Sequence, residues 1–194
     1  MSAHRLRGAA TRLAGPVRTA VTSPTQILRE EHRVILRALA LLEEAAARLD
    51  VGNTIPEIWW EKLVAWLQDF ADRNHHAKEE EHLFPALARA GVPAAGGPIA
   101  VMLDEHVEGR ALLRAMAERA GSARAEAARA YVHRLGAHID KENEVLFHLA
   151  EAVLDSAMQA LVGRRFEKVE AEQGRAAYLD GTEADLDRLA AVLA

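Results

Sequence analysis

The sequence predicts an all-α protein, an up-down-up-down four-helix bundle with additional C-terminal helices. Three observations lead there. The 194 residues include 40 Ala, the strongest helix former, and only 9 aromatic residues, which disfavours sheet architectures. Four long segments each open on a helix-start signal and close on a break. Along each of them inward positions recur every 3.5 residues on average, the period of a seam between nearly parallel or antiparallel helices.

The elements follow in order. Ser23-Pro24-Thr25-Gln26 reads as a capping box with proline at the first helical position, opening a helix to about Asp50 that Gly52 and Asn53 break. Pro56 starts a second helix reaching about Arg89, before a loop at 91–98 rich in Gly and Pro. A third runs from about Ile99 to Ala120 and stops at Gly121; Ser122 caps a fourth, which continues to about Leu154. A shorter helix at 156–172 and a last one at 183–193, capped by Thr182, complete the chain. The expected organisation is a basic leader at 1–23, a bundle at 24–155 and an amphipathic extension at 156–194. In that extension Leu161, Phe166, Leu179, Leu186, Leu189 and Leu193 need a surface to cover, either the end of the bundle or a second copy in a homodimer.

Composition narrows the function classes. With no Cys, disulfides, thiolate-held zinc, iron–sulfur clusters and cysteine catalysis are excluded. No apolar run approaches the ~18 residues of a membrane span. Residues 1–29 hold five Arg and no acid but lack the apolar core of a signal peptide, so a cytoplasmic location is expected. From residue 30 onward 19 basic residues face 29 acidic ones, a net charge of −10 that matches nucleic acid poorly.

The seams themselves carry the chemistry. The first helix places Leu28, His32, Ile35, Leu39, Leu42, Ala46 and Leu49 on one stripe. The second gives Val64, Leu67, Ala71, His75, Glu79 and then His82 or Leu83; the third gives Ile99, Leu103, His106, Arg110, Leu113, Ala117 and Ala120. The fourth gives Tyr131, Leu135, His138, Glu142, Val145, Leu149 and Ala152. A His interrupts every seam and a Glu joins two of them. An unpaired buried carboxylate costs several kcal/mol in desolvation, and a shared cation answers that cost for all six groups at once.

An internal repeat places the same groups. Residues 75–84 read HHAKEEEHLF and residues 138–147 read HIDKENEVLF, which aligns His75 with His138, Lys78 with Lys141 and Glu79 with Glu142. His-x-x-x-Glu sets imidazole and carboxylate one helical turn apart on one face. Glu31-His32 and Glu105-His106 each precede one copy, so the unit is a helix with one His followed by a helix with His and Glu. Two copies about a pseudo-twofold axis converge four His and two Glu.

These elements resemble the hemerythrin-like, or HHE cation-binding, domains. The resemblance covers roughly residues 25–155 and rests on EEHRVI around His32, HHAKEEEHLFPAL at 75–87, EHVEGR around His106 and HIDKENEVLF at 138–147. It implies a non-haem di-iron centre, with ligands His32, His75, Glu79, His106, His138 and Glu142 and the two carboxylates bridging. Ferritin-like di-iron bundles use Glu-x-x-His, the opposite order and a shorter spacing, and do not fit. The oxygen-carrying members have a second His one turn after the third-helix His, where this chain has Arg110, and an Asp five residues after the last His, where it has Glu142 at four. The chain is in these respects more similar to the bacterial hemerythrin-like proteins.

The donor set supports two ions independently of the name. Imidazole and carboxylate suit iron, manganese or zinc, and six ligands exceed the need of one tetrahedral zinc; the resemblance puts iron ahead of manganese or zinc. With both carboxylates and an oxide or hydroxide bridging, one position stays open on each ion. That pattern points to oxygen, hydrogen peroxide or nitric oxide as ligand, with a preference for catalase-like peroxide decomposition over reversible carriage. Arg110, beside the vacancy, would steer an anionic ligand or else pair with a carboxylate across the bundle mouth. His76, about 100° round the helix from His75, reads as a supporting or surface residue rather than a ligand, although a register pairing it with Glu80 keeps the same spacing. His82 is placed to orient a carboxylate; His133 and His148 read as solvated; Tyr131, Trp59, Trp60 and Trp66 read as packing residues. The competing classes are a non-catalytic iron- or oxygen-responsive module and a plain helical interaction protein.

Overall fold

The computed structural model describes residues 22–172 and 178–194, with backbone alone for 178–180. The basic leader up to residue 21 lies outside the described residues. Helix α1 spans Pro24–Asp50, α2 residues 57–89, α3 Pro98–Glu118, α4 residues 121–153, α5 Ser156–Glu172 and α6 Tyr178–Leu193. The described residues contain no strand. None of their helices is long and apolar enough to cross a membrane.

Helix starts follow local chemistry in part. Ser23 caps α1, its Oγ accepting from the Gln26 amide at 3.2 Å. The Gln26 side chain turns forward to Glu30 at 3.0 Å instead of back to Ser23, so only half of the capping box forms. Helix α4 opens at Gly121 without a side-chain cap, which leaves Ser122 inside the helix. Gly121 has φ +57°, a left-handed turn that reverses the chain within the two residues after Glu118. Helix α6 begins at Tyr178, so Thr182 lies within it rather than capping it.

Helices α2 and α4 are not uniform. After α-helical Glu57–Leu67, α2 widens into π-helix at Gln68–His76 and again at Glu79–Leu83 before returning to α-helix at Phe84–Arg89. In α4 the π segment is Glu142–Leu146, between Gly121–Lys141 and Phe147–Val153. Each glutamate of the repeat therefore opens a π turn. Such turns bond i to i+5, insert an extra residue and rotate everything downstream. That rotation exposes Val145 (59 %) and brings Leu146, Phe147 and Ala150 inward, against the expected stripe. In α3 the buried seam is Ile99, Met102, His106, Gly109, Leu113 and Met116, while Leu103 and Ala117 face out. The ring of Tyr131 lies beside Gly109, where an added Cβ would make ordinary van der Waals contact at 3.8 Å. Arg110 falls at the edge of this seam.

Helix α4 packs along both α1 and α3, with α2 completing the bundle. The interior divides into two apolar clusters. One combines Ile35, Leu39 and Leu42 of α1 with Trp59, Leu63 and Phe70 of α2, Leu113 and Met116 of α3, and Tyr131 and Leu135 of α4. The other gathers Leu28, Phe84, Leu87, Ile99, Met102 and Phe147. The extension packs back on both: Leu186, Leu189 and Leu193 of α6 join the first cluster, and Val162 and Phe166 of α5 join the second. Trp59 Nε1 donates to the Leu189 carbonyl at 2.9 Å, and Arg37 reaches Glu183 and Asp187, fixing α6 to α2 and α1. Leu161 remains 38 % exposed, and the Leu179 side chain lies outside the described residues.

Candidate metal centre

A polar layer separates the two apolar clusters. Glu31, His32, Asn74, His75, His76, Lys78, Glu79, Glu105, His106, His138 and Glu142 are all buried there, most of them at 0–3 % exposure. So many buried polar groups need partners, and the outer ones have them. Glu31 Oε2 lies 2.9 Å from His75 Nδ1, and Glu105 Oε2 lies 3.0 Å from His138 Nδ1. Glu80 Oε1 is 2.7 Å from His106 Nδ1, and Asn143 Oδ1 is 3.0 Å from His32 Nδ1. These oxygens only accept, so each Nδ1 carries the proton and each Nε2 presents its lone pair to the centre. An imidazole pinned in this way is the usual form of a metal ligand.

The inner atoms are orphaned. His32 Nε2, His75 Nε2, both His76 nitrogens and all four oxygens of Glu79 and Glu142 are buried without a hydrogen-bond partner among the described residues. His106 Nε2 and His138 Nε2 face each other at 3.1 Å. The two carboxylates lie between the histidines. Glu79 turns Oε1 to His75 and Oε2 to His106, each at 3.5 Å; Glu142 Oε2 is 3.1 Å from His32 and 3.3 Å from His138. Among the described residues two groups of donor atoms converge closely enough to hold an ion each. They are His32, His75, Glu79 and Glu142, and His76, Glu79, His106 and His138.

All six seam residues named from the sequence thus meet in one layer, joined by a seventh, His76. Of the two roles expected for His76, supporting or surface, the surface one is excluded: it is 3 % exposed, and its ring stacks on His106 at 3.8 Å between centroids. The π-helical widening at Gln68–His76 turns consecutive side chains less than an α-helix would, so His75 and His76 both face inward. Glu80, its partner in the alternative register, lies outside both donor groups.

The electrostatics follow from burial. Burial pushes the His75 imidazole down to about 4, with His32 adding to the effect. His76 and His106 are lowered for the same first reason. His138 is raised, because Glu142 and Glu105 outweigh its burial. Burial and the neighbouring Glu142 hold the Glu79 carboxyl well above the ordinary carboxylate range, whereas on Glu142 the attraction of His138 and His32 overrides burial and holds it well below. Two carboxylates and five imidazoles packed this closely conflict without a cation, since each orphaned oxygen and lone pair lacks a donor. The donor set fits divalent metal.

Arg110 sits at the edge, a third exposed. Its Nε pairs with Asp72 at 2.6 Å and its guanidinium Nη2 with Glu80 at 2.7 Å. It therefore acts on the centre through Glu80 and His106, with its charge engaged by two carboxylates. Tyr131 packs in the core with its hydroxyl unpartnered. His82 lies 6.5 Å from the Phe166 ring, apart from the carboxylates, and His133 and His148 are exposed.

Comparison with known families returns one match, to the hemerythrin HHE cation-binding domain over residues 23–150. The chain belongs to this hemerythrin family. Its matched region takes in all four bundle helices and every donor in the two groups. Comparison with curated proteins and with solved structures gives no match. Family membership points to metal binding, and the two donor groups of this layer are the candidates for it. The lone-pair nitrogens and orphaned oxygens are of the type such a domain requires, and the absence of thiolates is consistent with it.

Proposed function

We propose that this hemerythrin-family protein is a non-haem di-iron protein that binds a small molecule, oxygen or nitric oxide, at one of its two ions. His32 and His75 would hold one ion and His76, His106 and His138 the other, with Glu79 and Glu142 serving both. The single observation that carries the reading is the unequal division of imidazoles, two against three: Glu79 belongs to both donor groups, and Glu142, in the group of His32 and His75, also comes within 3.3 Å of His138. An ion with three imidazoles and two carboxylate oxygens is nearly filled; its neighbour keeps room for an exogenous ligand. Imidazole-rich, thiolate-free donor sets suit iron ahead of manganese. Iron supplies the redox change that oxygen binding requires.

The chain's own groups prepare the pocket. Glu31, Glu80, Glu105 and Asn143 hold four ring protons outward, so lone pairs need no reorganisation when a cation enters. Phe147 stacks on His32, with centroids 5.4 Å apart, and with Leu28 of the same cluster closes the two-imidazole side to water. The expectation of peroxide decomposition drew on a vacancy at both ions and on Arg110 placed beside it. His76 offers a donor for one vacancy, and Asp72 and Glu80 engage the guanidinium, so ligand binding at one ion is favoured over turnover. Anaerobically reduced, iron-loaded protein should change its spectrum on exposure to oxygen or nitric oxide and recover on removal of the gas. Rapid, sustained oxygen evolution from hydrogen peroxide, slowed by Arg110→Ala with both irons retained, would restore the peroxide reading.

A second reading, a responsive module, is favoured by one contact. Lys78 bridges Glu31, the partner of His75, to Glu170 of α5 at 2.6 Å, so a change at His75 reaches the C-terminal extension. Hydrogen exchange in α5 that differs between metal-free and iron-loaded protein would support it; identical exchange would remove it.

A further inference from the structure

The two copies of the repeat are nearly superimposable in their chemistry, and the positions where they differ cluster on one side of the centre. In both copies the Glu preceding a seam His (Glu31, Glu105) holds the His of the next helix and a lysine at the next turn. In both, the seam His reaches across to the other copy's carboxylate and to the residue after it: His32 to Glu142 and Asn143, His106 to Glu79 and Glu80. The ten-residue copies differ at four positions, and two of these adjoin the centre. Position 80 is a carboxylate where position 143 is a neutral amide, and position 76 is an imidazole where position 139 is Ile. Both differences strengthen the same half, that of His76, His106 and His138.

The geometry points to ordered loading: the half built from His76, His106 and His138 takes the first ion, and the half built from His32 and His75 takes the second. This rests on the dinuclear reading above. Two consequences of the local chemistry support it. The first half offers one more imidazole. A carboxylate behind His106 makes its Nε2 a stronger donor than the amide does for His32, because the negative oxygen draws on the Nδ1 proton. Ordered loading also gives the two ions separate identities. The chain acquires a filled, permanent ion first and an exchangeable, ligand-binding ion second.

Cobalt(II), which tolerates the same nitrogen and oxygen donors, is the probe. Metal-free full-length protein titrated against a competing chelator should bind two ions with dissociation constants at least ~10-fold apart, the usual size of a change in the groups behind a ligand. Crystals grown with one equivalent should show the cobalt anomalous signal at His76, His106 and His138. Asn143→Asp, at a half-exposed position, should tighten the second ion about tenfold and narrow the gap, and Glu80→Gln should weaken the first by a similar factor. Two ions of equal affinity, an even split of the signal, or first occupancy at His32 and His75 would overturn the order while leaving the dinuclear reading intact. Saturation at a single ion would overturn that reading and the order with it.

Discussion

Lys78 and Lys141 occupy the same place in the two copies of the repeat, and each pairs with the glutamate that holds a seam histidine. Their surroundings differ. Lys78 is fully buried beneath α5, shared between Glu31 and Glu170, with its ammonium 5.8 Å from the centre of the Phe166 ring. The Lys141 side chain is 41 % exposed. Lys78→Met keeps the aliphatic volume and removes the charge, leaving Glu31 as a buried carboxylate. Breaking a buried pair from one side costs about 3–5 kcal/mol. Glu31 retains His75 at 2.9 Å and Asn74 at 3.2 Å, and Glu170 is itself a third exposed, which places the loss near the lower end, about 3 kcal/mol. For a chain of this size that is a fall in melting temperature of roughly 6–12 °C. Lys141→Met removes a half-solvated pair and should cost at most ~1 kcal/mol. Urea unfolding of both metal-free variants, side by side, measures the difference. Equal losses, or a Lys78→Met variant as stable as the parent, would refute the assignment of a buried charge network behind His75.

Three further outcomes follow from the same layer. Tyr131→Phe removes a buried hydroxyl without a partner and should leave stability unchanged or raise it by about 1 kcal/mol; a loss above ~1 kcal/mol in thermal unfolding would mean that the hydroxyl is bonded. Metal-free protein should lose stability as pH falls from ~6.5 towards 4, because the unfolded chain takes up protons that buried His75, His76 and His106 refuse. His75, held at about 4, contributes on the order of 3 kcal/mol; raised His138 and Glu79 act oppositely, as lowered Glu142 adds to the loss, and an unfolding midpoint flat across that window would contradict this sum. Glu79→Ala and Glu142→Ala should each empty both positions, since each carboxylate faces histidines of both halves, whereas His76→Ala should weaken one; metal analysis after dialysis separates these results.

Much of the fold and of the centre is legible in the sequence, for identifiable reasons. Six polar interruptions on four regular seams have no cheap structural explanation, and the repeat aligns them in pairs, so His32, His75, Glu79, His106, His138 and Glu142 stand out before any coordinates. The matched Glu31-His32 and Glu105-His106 doublets are visible too. What each glutamate touches is not, because contacts between helices have no signature in spacing along one of them. His76 was missed through the assumption of a uniform ~100° per residue, which the π segment at Gln68–His76 violates. One signal was present: the repeat aligns His76 with Ile139, a residue 1 % exposed, so that position faces inward in both copies. The same uniform period misplaced Val145. Leu103 and Arg110 were misplaced for another reason, since either of two seams fits α3 and spacing along one helix does not decide between them.

The central claim is two ions held by seven side chains in one layer. Iron quantitation per chain, taken with the optical spectrum of the same aerobically purified sample, tests it most directly. The account predicts about two irons per chain and charge-transfer bands in the near ultraviolet, both lost in Glu142→Ala. One ion per chain, or stoichiometric zinc without such bands, would contradict it.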